Sequence, residues 1–145
     1  MQGQLSQRSK DVRLPVYERI TRGIRVHVKP KFLDDQSDPG ESHYIWSYTV
    51  TIQNNGAEAV KLLSRYWHIT DAIGRIQEVR GPGVVGAQPV IEPGQTFEYT
   101  SGCPLPTASG AMMGRYLMQA GSGDSFEADI PLFLLESPHE RRQIH

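Results

Sequence analysis

From Tyr44 to Asn54 the chain alternates without a break between a bulky set, Trp46, Tyr48, Val50 and Ile52, and a polar set, Ser47, Thr49, Thr51 and Gln53. A period of two puts each set on its own face of an extended strand, whereas a helix would scatter both around its surface. Aromatic and β-branched residues also suit a pleated, half-buried surface. One face is therefore built for a core, and another layer has to cover it.

The same period recurs along the chain. Ile24, Val26 and Val28 alternate with Arg25, His27 and Lys29, and Phe97 and Tyr99 flank Glu98. Met112, Gly114, Tyr116 and Met118 mark one face of a further strand, as do Phe126, Ala128 and Ile130. After Pro131 the apolar phase moves to Phe133 and Leu135, which predicts a bulge or an edge position there. Val60 to Thr70, with Leu63, Trp67 and Ile69 inward, and Arg75 to Arg80 complete about seven strands.

Turn chemistry separates these stretches. The chain has 14 glycines and 10 prolines, and they fall between the alternating runs, as short strands joined by turns require. Asp34 to Glu41 reads as a polar loop, Asn54-Asn55-Gly56 as a chain reversal, Asp71 to Gly74 and Gly121 to Asp124 as turns, and Ser101 to Pro104 as an interruption. Gly81 to Gly94, broken by Pro82, Pro89 and Pro93, reads as loop. The expectation is an all-β antiparallel sandwich over 21–137, preceded by an irregular arm over 1–20 and followed by a frayed tail over 138–145.

A chain of 145 residues supports one such core. The longest strictly apolar run is Leu132 to Leu135, far short of the ~20 residues of a spanning helix. The first residues are polar and form no signal-peptide core, and Cys103 is the only cysteine, so a reducing, cytoplasmic setting is expected. Net charge is -1, but residues 1–31 carry eight Lys and Arg against Asp11 and Glu18, which leaves the remainder acidic. Such polarity is read as a solvated surface.

Arg80 precedes Gly81-Pro82-Gly83-Val84-Val85-Gly86, which matches the G-x-G-x-x-G pattern of dinucleotide loops. That chemistry needs a helix after the glycines, whose N-terminus presents free N–H groups to pyrophosphate. Pro89 and Pro93 follow too closely for one. What survives is an anion or nucleotide loop of Arg80, Gly81, Gly83, Val84, Val85 and Gly86 acting through backbone N–H groups, set against glycines that serve a close backbone crossing.

The other motifs read as structural. The five histidines show no metal-ligand spacing, and the loop at Asp34 places Pro39 and Ile45 where a calcium loop needs Gly and Glu. Cys103, between Gly102 and Pro104, has no base beside it and reads as a small buried residue. The stripe of Arg25, His27, Lys29 and Lys31 lacks interleaved aromatics and reads as the charged face of an edge strand. No catalytic, metal or cofactor set is nominated.

Four stretches together resemble the ApaG family: Leu63 to Asp71 followed by Gly74, Glu78 to Pro89, Pro93 to Gly102, and Gly110 to Met118. The resemblance spans roughly Tyr17 to Ser137 and implies a fibronectin type III-like, or immunoglobulin-like, sandwich without a disulfide. It also implies an association with cobalt and magnesium tolerance or efflux and a genomic association with diadenosine tetraphosphate hydrolysis, none of which defines an activity. The expected function is a non-catalytic binding module for an unidentified protein partner, with homodimer formation through edge strands as a further possibility. Nucleotide or pyrophosphate binding, with or without hydrolysis, and divalent-cation sensing through Asp34, Asp35, Asp38 and Glu41 are the alternatives. No nucleic-acid or membrane partner is expected.

Overall fold

The computed structural model describes residues 17–140. Nine strands form two antiparallel sheets packed face to face: β1 (Tyr17–Thr21), β2 (Ile24–Phe32), β3 (Tyr44–Asn54), β4 (Val60–Asp71), β5 (Ile76–Pro82), β6 (Val90–Ile91), β7 (Thr96–Leu105), β8 (Gly110–Ala120) and β9 (Ser125–Leu135). One sheet has the order β1-β2-β3-β7 and the other β5-β4-β8-β9, with β6 also pairing with β4. This is the all-β sandwich expected from the alternation, with β1 and β6 raising the strand number.

The alternation in β3 sets the core. Trp46, Tyr48, Val50 and Ile52 are all buried, opposite Met112, Tyr116 and Met118 of β8 and Ile130, Phe133 and Leu135 of β9. Each such side chain contributes roughly 1.5–3 kcal/mol by leaving water. Trp67 packs edge-on against Tyr48 and Phe133, with ring centroids 5.1 and 5.9 Å away. The shift expected at Pro131 is present: Met112 faces Phe133 while Gly114 faces Ile130, so β9 carries one extra residue there.

Several expectations are corrected. Residues 17–20 are not part of an irregular arm. β1 pairs with β2 from Tyr17 opposite Val28 to Thr21 opposite Ile24, through a two-residue turn at Arg22 and Gly23, whose φ angles of 49° and 81° are both left-handed. Arg19 pairs with Asp129 of β9 at 3.3 Å. The arm's other residues, 1–16, and the tail residues 141–145 lie outside the described residues. The start of the tail docks: His139 packs its ring on Phe32, and the Ser109 hydroxyl donates to the Glu140 carboxylate at 2.8 Å.

Asn54-Asn55-Gly56 does not make a hairpin; it carries the chain from β3 in one sheet to β4 in the other. Asn54 is fully buried and folds the crossing around its side chain. Its Nδ2 donates to the carbonyls of Glu58 and Ile91, both at 2.8 Å, and its Oδ1 accepts from the Gly56 N–H at 2.9 Å. Ser101 to Pro104 does not interrupt β7, because this strand lies at the edge of its sheet, where a proline removes no ladder bond. In β4 it is Leu62 that is fully buried and Leu63 that is only half-buried, since a bulge between Leu62 and Ser64 reverses the phase.

Candidate functional site

The glycine-rich stretch sits where an edge strand breaks in two. β5 and β6 both run along β4, β5 beside Ser64 to Thr70 and β6 beside Val60 and Lys61. Part of the region from Gly81 to Gly94 is therefore strand, with Gly81 and Pro82 in β5 and Val90 and Ile91 in β6. Between them the loop leaves the sheet at the level of the β4 bulge. The Leu63 carbonyl accepts from the Gly83 N–H at 2.9 Å and from Gln88 Nε2 at 2.8 Å, and the Leu62 N–H donates to the Pro89 carbonyl at 3.0 Å.

The loop's glycines have steric explanations. A side chain on Gly83 would begin 2.0 Å from the Ala87 carbonyl oxygen, in a backbone with φ at +56°. Val84 and Ala87 exchange backbone hydrogen bonds at 2.8 and 2.9 Å around a tip of Val85 and Gly86, with φ of 40° and 81°. Two left-handed central residues are the signature of a type I′ turn. No helix follows Gly86. The N–H of Gly83 is engaged by the Leu63 carbonyl of β4 and those of Val84 and Ala87 by each other's carbonyls, while those of Val85 and Gly86 lie at the tip.

The six residues singled out from the sequence do not form one cluster. Val84 is fully buried in the core, while Val85 is 60% exposed. Arg80 and Gly81, as neighbours on a strand, face opposite sides of the sheet. Arg80 lies on the outer face, 4.7 Å from the centre of the Tyr66 ring and 3.9 Å from the Glu78 carboxylate. The arginine that reaches the glycines is Arg65 on β4. Its Nη1 donates to the carbonyls of Pro82 and Gly83, both at 3.0 Å, and its guanidinium lies flat against Gly81, where a Cβ would come within 3.1 Å.

The outer face of the β5-β4-β8-β9 sheet carries a second arrangement. Tyr66 lies between two guanidinium groups, with Arg115 at 4.2 Å on β8 as well as Arg80 on β5. Its hydroxyl donates to the Glu78 carboxylate at 2.6 Å. That bond comes first among the causes holding the Tyr66 hydroxyl above its ordinary pKa and Glu78 below its own. Beside this polar row lie Met113, Leu132 and Leu134, exposed at 45, 54 and 42%. Alternation along β8 and β9 turns all three outward.

The remaining sequence candidates take structural places. Arg25 pairs with Glu18 of β1 at 2.8 Å, so the start of the basic stripe is not on an edge. Lys29 and Lys31 lie on the part of β2 that extends beyond the start of β1. Cys103 is buried, and burial pushes its thiol up to about 11, which keeps it protonated and unreactive at neutral pH. Asp34 approaches His139 at 3.3 Å. Among the described residues no three His, Cys, Asp or Glu side chains come together as a metal site, and no helix is long and apolar enough to cross a membrane.

The family model of the ApaG domain matches residues 34–120. The chain belongs to the ApaG family. A Protein ApaG from Brucella anthropi is 57% identical over 130 residues, which is 90% of this chain and 100% of that protein. A Protein ApaG from Methylorubrum populi is 58% identical over the same shares of each chain. Among solved structures, a Bordetella pertussis protein whose crystal structure carries the name ApaA superposes with a TM-score of 0.78 at 50% identity, covering 80% of this chain and 94% of that one. A structural-genomics X-ray structure gives 0.76 at 45% identity, covering 85% and 96%. The ApaG fold thus extends over both sheets, including the broken edge with its glycine loop.

Proposed function

We propose that this ApaG domain is a non-catalytic protein-binding module whose contact surface is the outer face of the β5-β4-β8-β9 sheet. The observation that carries this reading is the exposed row of Met113, Leu132 and Leu134 beside Tyr66 and its two arginines. Apolar residues grouped on a sheet face, rimmed by charge, have the composition of an interface: aromatic, methionine and arginine anchors within a polar border. Holding Tyr66 between two guanidinium groups and Glu78 fixes its rotamer in advance, which lowers the entropy cost of using it as an anchor.

The test compares the wild-type protein with Leu132→Glu and Met113→Glu as baits in affinity capture from lysate at physiological salt. Both positions are exposed, so the variants should fold normally and retain their melting temperature. The expected result is a reproducible stoichiometric partner held by the wild-type protein and lost from both variants. Equal capture by all three baits, or none by the wild-type protein, would remove this face from consideration.

A further inference from the structure

On its inner side the same broken edge holds a positive charge that the fold only half uses. Between β7 of one sheet and β4 and β5 of the other lies a cleft of about 240 Å³, lined by Tyr48, Arg65, Trp67, Val79, Ser101 and Cys103 among others. Arg65 faces inward because the bulge at Leu63 resets the phase of β4; its register partners are Gly81 on one side and Tyr116, fully buried, on the other. Nη1 is occupied by the two loop carbonyls. Among the described residues no carboxylate lies within 4.0 Å of the guanidinium, and Nε and Nη2 make no hydrogen bond.

A guanidinium held at one end and open along its Nε–Nη2 edge is prepared for a planar anion. Those two N–H groups point in parallel and match the two oxygens of a carboxylate. The anchoring contacts to Pro82 and Gly83 fix the fork before anything binds, so little side-chain entropy would be lost on binding. Hydroxyls lie close by: Ser101 of the facing strand lines the cleft beside Tyr48, and Tyr99 and Tyr116 join hydroxyl to hydroxyl between the sheets. Burial raises the pKa of all three tyrosines, which therefore stay neutral donors at physiological pH, and the Arg65 charge is near enough to act on each. Trp67, Ile69, Val79 and Met112 give the cleft its apolar wall, and Gln77 adds one further polar side chain.

We propose that this cleft binds a small organic carboxylate with a flat apolar body, its two oxygens on Nε and Nη2 of Arg65 and its body against Trp67 and Val79. The volume is below the ~300–1,000 Å³ of sites for drug-sized ligands, so the body is a single ring or a short branched chain. The site is separate from the outer-face contact surface, and each can fail without the other.

Benzoate titrated into the isotopically labelled full chain tests the site, with the Arg65 Nε–H and the Ser101 and Gly102 amides followed by NMR. The expected result is a saturable shift at these signals that benzyl alcohol, the neutral analogue, does not produce. Arg65→Lys keeps the charge but not the fork and should weaken binding about tenfold. Ser101→Asp keeps Arg65 and its loop contacts but supplies a built-in carboxylate from the facing strand, and should block benzoate while the Gly83 amide signal stays in place. Absence of a saturable shift at Arg65 Nε–H, an equal shift with benzyl alcohol, or unchanged benzoate binding by Ser101→Asp would each overturn the proposal.

Discussion

Arg65 donates from Nη1 to the Gly83 carbonyl at 3.0 Å, and Gly83 in turn donates its N–H to the Leu63 carbonyl at 2.9 Å, so the glycine is bonded at both ends to the same bulged strand. Substitution at Gly83 therefore tests the fold before it tests any ligand. Gly83→Ala places a methyl group against the Ala87 carbonyl and forces a left-handed φ on alanine, and should cost about 3 kcal/mol or more. Gly86 has the same sign of φ but open space around it, so Gly86→Ala should cost only about 1 kcal/mol. Urea denaturation of the two variants should separate them clearly; equal losses would contradict the crowding at Gly83.

Val85 occupies the first central position of the type I′ tip with φ at 40°, a conformation that a β-branched side chain resists. Its side chain is 60% exposed, so removing it leaves no cavity. Val85→Asn creates the Asn-Gly pair that such turns favour and should stabilise the protein by about 1 kcal/mol, read as a rise of several degrees in melting temperature. A lower melting temperature would mean that Val85 makes a stabilising contact which its exposure does not reveal.

Asn54 holds four neighbours to the crossing between sheets: Gly56 and Glu58 through its side chain, Ile91 also through its side chain, and Gly94 through its own carbonyl at 2.7 Å. Removing the amide leaves buried polar groups without partners, the costlier way to lose a hydrogen bond. Asn54→Ala should cost about 3 kcal/mol by urea denaturation. Asn54→Asp should be worse at neutral pH, because the carbonyls of Glu58 and Ile91 would then meet a carboxylate. An Asn54→Asp variant as stable as the wild-type protein would refute the hydrogen-bond assignment.

Where burial on one face is strong, the sequence carries the fold in plain view: the inward set of β3, that of β8 and the phase slip at Pro131 all follow from side-chain alternation. β1 is harder to read because it covers little. Ile20 is 60% exposed, so no period of two emerges from a strand held mainly by its ladder to β2 and by Arg19 and Asp129. Pro104 and Gly102 looked like punctuation because tolerance of proline depends on lying at a sheet edge, which is a property of strand order and not of local sequence. The candidate site was legible only in its glycines. Arg65 lies within a stretch that carries the family resemblance, but nothing in its local sequence marks it as a binding residue; its meaning comes from the facing strand β7, distant in sequence and joined to it only through the sandwich.

Asp71 and Arg75 close the turn from β4 to β5 and give the stability a defined acid limb. The Asp71 carboxylate is nearly buried, and burial alone would raise its pKa. The N–H of Arg75, the Arg75 guanidinium at 2.7 Å and the N–H of Ile73 all bind its charged form, and together they hold the pKa below its ordinary value. The folded protein therefore keeps this carboxylate ionised at pH values where the unfolded chain has already taken up a proton. The stabilisation is present in full above the ordinary aspartate range and is lost as the pH falls through that range to the folded-state value. Asp71→Asn keeps an oxygen for the two backbone N–H groups but loses the charge and the bond to the guanidinium. Its urea midpoint should lie below that of the wild-type protein at neutral pH, and the gap should close on acidification. Glu18, lowered first by its hydrogen bond from Arg25, and Glu78, lowered first by that from Tyr66, contribute to the acid limb of both proteins and cancel in the difference. A gap that stays constant from neutrality into the acid range would mean that the Asp71 charge contributes nothing and that the turn is held by its backbone bonds alone.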